Sequence, residues 1–179
     1  MLSLLDRLLA ALRARSSMPS MVLFFAAMFL LSQLSIGVVL EPVGLDRVLQ
    51  LQTTLSTETF IALVADMYRH GTVEAYLAHY YYDFLHPVWY ATLLALVLAA
   101  AMNRAALSPQ ANRWLLVPFV AGLLDLLENS LHIYMVVDTA NIAPAWVLLG
   151  NGAALLKWAL VALTMVAVLV LFARPGHNR

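Results

Sequence analysis

Apolar positions in this chain gather into four long blocks, at residues 20–40, 84–103, 113–137 and 144–173. Each is about as long as the roughly 20 residues that carry a helix across a bilayer. The blocks are predominantly apolar and far longer than strands, so they predict transmembrane helices. Ahead of them, residues 2–16 place Leu2, Leu5, Leu8, Leu9 and Leu12 on one face, with Asp6, Arg7 and Arg13 elsewhere. That is the pattern of an amphipathic helix lying in the membrane interface. A secretory signal is not expected, because the apolar block that follows is too long for a signal core and ends without a small-x-small cleavage site. Ser17 and Pro19 mark the start of the first span.

Residues 41–83 are mixed and acidic, and predict an outer segment of short helices on the membrane surface. Ser56 or Thr57 can cap a helix that Gly71 ends, and Thr72 can cap another leading through Tyr76, Tyr80, Tyr81 and Tyr82, an interfacial aromatic belt. The connections after the second and third spans are short, which forces antiparallel neighbours. The expected fold is all-α: a single membrane domain over residues 1–179, built as an integral membrane four-helix up-and-down bundle.

Composition strengthens this picture. Of 179 residues, 63% are hydrophobic and 11% charged, against about 25% charged in a soluble domain. No cysteine is present, which excludes disulfides, thiolate metal sites and thiol catalysis. The balanced net charge gives no field to attract nucleic acid. Charges are nevertheless sorted by side. Arg7, Arg13, Arg15, Arg104, Arg113, Arg174 and Arg179 flank one set of span ends, while Arg47 and Arg69 stand among seven acidic residues on the other. The positive-inside rule then predicts both termini in the cytoplasm; the expected location is a bacterial inner (plasma) membrane.

The third block carries the chemistry: Asp125, Glu128, Asn129 and His132 share about a third of the helix circumference. Ionisable groups in hydrocarbon must face protein or water, and they mark functional sites by default. Counted from the outer span ends at about 1.5 Å per residue, Asp125 and Lys157 both lie roughly 18 Å deep, which makes them ion-pair partners. His132 and His86 lie nearer the outer mouth, with Tyr90 and Asn151 between the tiers. Asp83, His86, Tyr90, Asp125, Glu128, Asn129, His132, Asn151 and Lys157 thus predict an outward-facing polar pocket. Pro87 frees the Asp83 carbonyl and is expected to kink the second span there. Span one, with only Ser32, Gln33 and Ser35 as polar groups, is expected to pack against the other spans or a second subunit rather than supply chemistry.

Several functions suit such a cluster. A lipid or other amphipathic small molecule can bind with its polar end on Glu128, His132, Asp125 and Lys157. An enzyme could use those same four residues for acid and base chemistry, or His86, Glu128 and His132 as ligands of a divalent metal. Haem between His86 and His132 is disfavoured by the carboxylates beside them. A buried Asp125–Lys157 pair can also be purely architectural, and Glu128 and His132, spaced i and i+4, can be a helical salt bridge. An accessory subunit of a larger membrane complex, or a homo-oligomer, is equally compatible with the chain.

In topology alone, the cytoplasmic termini, long first outer segment and acidic residues within the bundle resemble the four-span sterol-isomerase and sigma-2-receptor superfamily. No functional residue is carried over from that resemblance. It implies a lipid-like ligand rather than an ion.

Overall fold

The computed structural model describes residues 3–174; Leu2 and Arg179, used above, lie outside them. The described residues are helical throughout: α1 (Leu4–Arg15), α2 (Pro19–Leu40), α3 (Leu45–Thr53), α4 (Thr57–His70), α5 (Val73–Ala78), α6 (Tyr80–Asp83), α7 (His86–Arg104), α8 (Leu116–Val137) and α9 (Pro144–Ala173), with 3₁₀ turns at Pro109–Leu115 and Thr139–Asn141. Four stretches, α2, α7, Pro109–Val137 and α9, are long and apolar enough to cross a membrane, consistent with an integral membrane protein. They form the expected all-α bundle, in which α9 packs on α8 and α7, α8 on α7, and α2 on α7. Gly150 lies where α9 faces α8. A Cβ at Gly150 would meet His132 Cδ2 and Leu131 Cβ at 3.4 Å.

The short helices α3 to α6 form a cap over one end of the bundle, and α1 lies against the other end, the base, on α7 and the Pro109–Leu115 turn. Each end has its own apolar core. Leu51, Phe60, Val64, Met67 and Tyr76 of the cap pack with Met135, Val136 and Val147 of α8 and α9. At the base, Leu9 of α1 inserts among Leu98, Met102, Leu115 and Leu171.

Helix starts and stops follow local chemistry. Ser3 and Asp6 form a reciprocal capping box at α1. Ser56 accepts the Thr59 N–H at α4, and Gly71, at φ 68°, ends that helix in the left-handed conformation. Two expectations need correction, and a third is met in its carbonyl. Ser17 does not cap α2; its hydroxyl donates to the Ala14 carbonyl, and Pro19 alone marks the first turn. Thr72 makes no side-chain cap at α5. Pro87 falls in the first turn of α7, and the helical run is interrupted just ahead of it at Phe84–Leu85, between α6 and α7. The Asp83 carbonyl, which Pro87 has no N–H to meet, accepts a hydrogen bond from Asn129 Nδ2 at 3.3 Å.

Candidate functional site

Between the two apolar cores lies a layer of buried polar side chains. Asp125, Glu128, Asn129 and His132 face inward from α8, and Asn151 and Lys157 meet them from α9. Spacing explains the arrangement: residues three and four apart stack on one face of a helix. Lys157 Nζ donates to Asp125 Oδ1 at 2.7 Å and lies 2.5 Å from Glu128 Oε2. The second contact is Coulombic rather than an aligned hydrogen bond, because neither Glu128 oxygen has a hydrogen-bond partner among the described residues. One ammonium thus sits between two carboxylates.

Tyr90 of α7 presents its buried hydroxyl to Asp125 without the alignment of a formed hydrogen bond. Buried polar atoms are normally satisfied, so orphans are the places to look for an absent partner. Glu128 Oε1 and Tyr90 Oη are two such atoms flanking the same ion pair.

The cap side of the layer is different, for every donor there finds an acceptor. Tyr80 Oη donates to Tyr76 Oη at 2.9 Å, and Tyr76 Oη lies 3.0 Å from His132 Nδ1. Since the Tyr76 oxygen already accepts from Tyr80, its own proton points to Nδ1. His132 is then protonated at Nε2, which donates to Asn151 Oδ1 at 2.7 Å. Asn151 Nδ2 in turn donates to the Leu51 carbonyl at 2.6 Å and the Thr54 carbonyl at 2.5 Å. A single directional chain ties α5, α6, α8, α9 and the end of α3 together. Both ring nitrogens of His132 are spoken for, which leaves no lone pair for a metal or a haem iron.

Two more titratable groups stand where the cap meets α7. Burial brings the His79 imidazole from its ordinary 6.5 down to about 4, opposed by its hydrogen bond to the Tyr76 carbonyl. Burial, with the charge of Asp125 adding to it, raises the Asp83 carboxyl from 3.8 to about 7. Asp83 Oδ2 is 3.8 Å from His79 Nε2, a neighbour rather than a bonded partner.

Sequence candidates therefore separate into groups. Asp125, Glu128 and Lys157 are in direct contact, with Tyr90 beside them. His132 and Asn151 belong to the cap network, and Asn129 with Asp83 to the junction. His86 stands apart, its Nδ1 2.7 Å from Ser32 Oγ of α2. Glu128 and His132 do not form the helical salt bridge open to their spacing, because Glu128 pairs by charge with Lys157 of α9 and His132 bonds to Tyr76 and Asn151. Nor do His86, Glu128 and His132 gather as metal ligands: among the described residues no group of three His, Asp or Glu side chains is placed to hold an ion. The cluster is closed, with Glu128, His132 and Asn151 at 0% exposure, while Asp83 and His86 at its edge reach 9% and 8%. Clefts of about 460 Å³ between α3 and α4, and about 320 Å³ beside Trp114 and Arg174, lie away from these residues.

Tyr76, Tyr80, His79 and Ser32 were not among the sequence candidates. Tyr81 and Tyr82 are exposed, as an aromatic belt requires, whereas Tyr76 and Tyr80 are buried. The signal that could have separated them is spacing: positions 76 and 80 share one helical face.

The chain matches no family model, no curated protein and no solved structure.

Proposed function

We propose that this is an integral membrane protein with an outward-facing polar site that binds the polar end of a lipid or other amphipathic small molecule, seated between α7, α8 and α9. The observation that carries the reading is the pair of buried, unpartnered atoms, Glu128 Oε1 and Tyr90 Oη, beside the Asp125–Lys157–Glu128 cluster. One is an acceptor and the other a donor. A hydroxyl has the complement of each, a proton for Glu128 and a lone pair for Tyr90, and an ammonium complements Glu128 while adding a second cation beside the acidic residues. The ligand's apolar part would lie among the helices, as in other sites between bundle helices.

Because Glu128 is fully buried, entry requires the helices around it to move. Both termini then lie in the cytoplasm of a bacterial inner-membrane protein and the cap faces outward, the orientation favoured by arginine clustering at the base.

Thermal unfolding of the purified protein in the presence of long-chain alcohols, sterols and long-chain amines tests this. The reading expects one of these classes to stabilise the wild type, and Glu128→Gln or Tyr90→Phe to remain folded but lose that stabilisation. Stabilisation kept in both variants would overturn it.

Membrane-embedded catalysis is the second reading, favoured by Asp83, whose carboxyl titrates near 7 at the cluster's edge and so suits proton transfer at neutral pH. It requires turnover that Asp83→Asn abolishes while ligand binding persists.

A further inference from the structure

The helix α2 differs from the other long helices in what surrounds it. It packs on α7 through its Ser32 and Ile36 side, and only 11% of its apolar stretch is buried, against 56% for α7. Leu23, Leu30, Leu31, Leu34 and Val38 are all exposed. Within that apolar surface stands Gln33, also exposed. It is seven residues from the cap end of the helix, so at about 1.5 Å per residue it lies roughly 10 Å inside the span.

Side-chain hydrogen bonds of α2 come from Ser32 and Ser35, and Gln33 makes none among the described residues. Lipid tails can neither donate to an amide oxygen nor accept from an amide nitrogen, so in hydrocarbon both groups need a protein partner. Gly37, one turn further along the same face, carries an independent hint. A Cβ at Gly37 would meet nothing within 4 Å, so nothing in this chain's own packing requires a glycine there. Glycine also weakens a helix interior relative to alanine. Leu30, Gln33, Leu34 and Gly37 together span an arc of about 100°.

We propose that this face of α2 is the seam of a homodimer, in which Gln33 hydrogen-bonds Gln33 of a second copy and Gly37 lets the two backbones approach. A second copy fits better than any other occupant. A carboxamide both donates and accepts, so it is complementary to itself. Two copies inserted in the same sense about a two-fold axis along the membrane normal bring position 33 to itself at the same depth. Small residues for close contact and amides for interhelical bonds are what membrane helix pairs use.

The chain has no cysteine, so disulfide trapping reads only introduced sites. Leu30→Cys and Leu34→Cys, in purified protein reconstituted in vesicles, are expected to oxidise to dimers. Leu123→Cys on α8 and Leu169→Cys on α9, equally exposed, are expected not to. Gln33→Leu should weaken dimerisation roughly tenfold in a dilution series followed by energy transfer, the size expected for two interhelical amide bonds, and Gln33→Asn should retain most of it. All these side chains point away from the rest of the chain, and unchanged thermal unfolding of the monomer checks that folding is intact. A monomeric wild type, equal trapping at the control positions, or a Gln33→Leu protein that dimerises like wild type would overturn the proposal.

Discussion

The fold treats Arg13 at the base and Lys157 in the bundle differently. At the base, the Arg13 guanidinium spends all five N–H donors: on Asn103 Oδ1 at 2.7 Å, Asn112 Oδ1 at 2.7 Å, and the carbonyls of Ser108, Met102 and Leu107 at 3.1, 3.3 and 2.6 Å. It locks α1 onto the turn that joins α7 to α8, and nothing in its surroundings is left over. In the bundle, Lys157 lies between two carboxylates, and around it remain a glutamate oxygen and a phenol without a formed hydrogen bond. A saturated network can only hold the fold together. One with unused bonding capacity in a dry setting can still take a partner. The same contrast divides the polar layer itself, because the Tyr80–Tyr76–His132–Asn151 chain is as complete as the Arg13 clamp.

The largest effect is expected on removing the bundle cation. Lys157→Met leaves two carboxylates buried without a counter-charge, which should cost about 3–5 kcal/mol in thermal or denaturant unfolding. A loss under about 1 kcal/mol would mean that the cluster is neutral or hydrated rather than ionic.

The pH dependence of stability should come next. The folded state keeps a proton on Asp83 up to about pH 7 that the unfolded chain releases near 3.8, so this group favours folding most at low pH and its contribution is lost as pH rises toward 7. His79 acts with the opposite sign: its folded value of about 4 against 6.5 costs stability as pH falls through that window. The two slopes oppose each other between about pH 4 and 6.5. Asp83→Asn uncovers the histidine slope, so its stability relative to wild type should climb across that range by on the order of 3 kcal/mol. Unfolding curves at pH 4.5 and 7 measure it, and a constant difference would contradict the assignment.

Arg13→Lys keeps the charge but offers three donors in place of a five-donor fork, and should cost about 2 kcal/mol while leaving ligand-induced stabilisation untouched. If ligand binding fell as well, the base and the bundle would not be the separate systems described here. Smaller again, Ser32→Ala removes the one hydrogen bond between α2 and His86 and should cost about 1 kcal/mol by the same unfolding measurement.

The sequence made the four spans legible because hydropathy and length are properties of each segment alone. The Asp125–Lys157 pair was legible too, since helix rise converts residue counts into depth and short loops fix which helices are neighbours. Neither device reaches the cap. Tyr76 and His132 are far apart in the chain and meet only because α5 folds back over the bundle, and Asn151 bonds backbone carbonyls of Leu51 and Thr54 that leave no mark in the residue pattern. Arg13 misled for a related reason. On a helical wheel it sits off the apolar face and looks solvated, yet its partners are carbonyls and amides of a turn about 90 residues away. What periodicity cannot show is whether a polar residue's capacity is used up, and that is the property on which the functional reading turns.

Native mass spectrometry of protein released gently from its membrane measures that property most directly. The account predicts a bound amphipathic adduct on the wild type and on Arg13→Lys, absent from Glu128→Gln and from Tyr90→Phe, with all four proteins folded. An adduct that persists in both bundle variants, or one that disappears with Arg13→Lys instead, would contradict it.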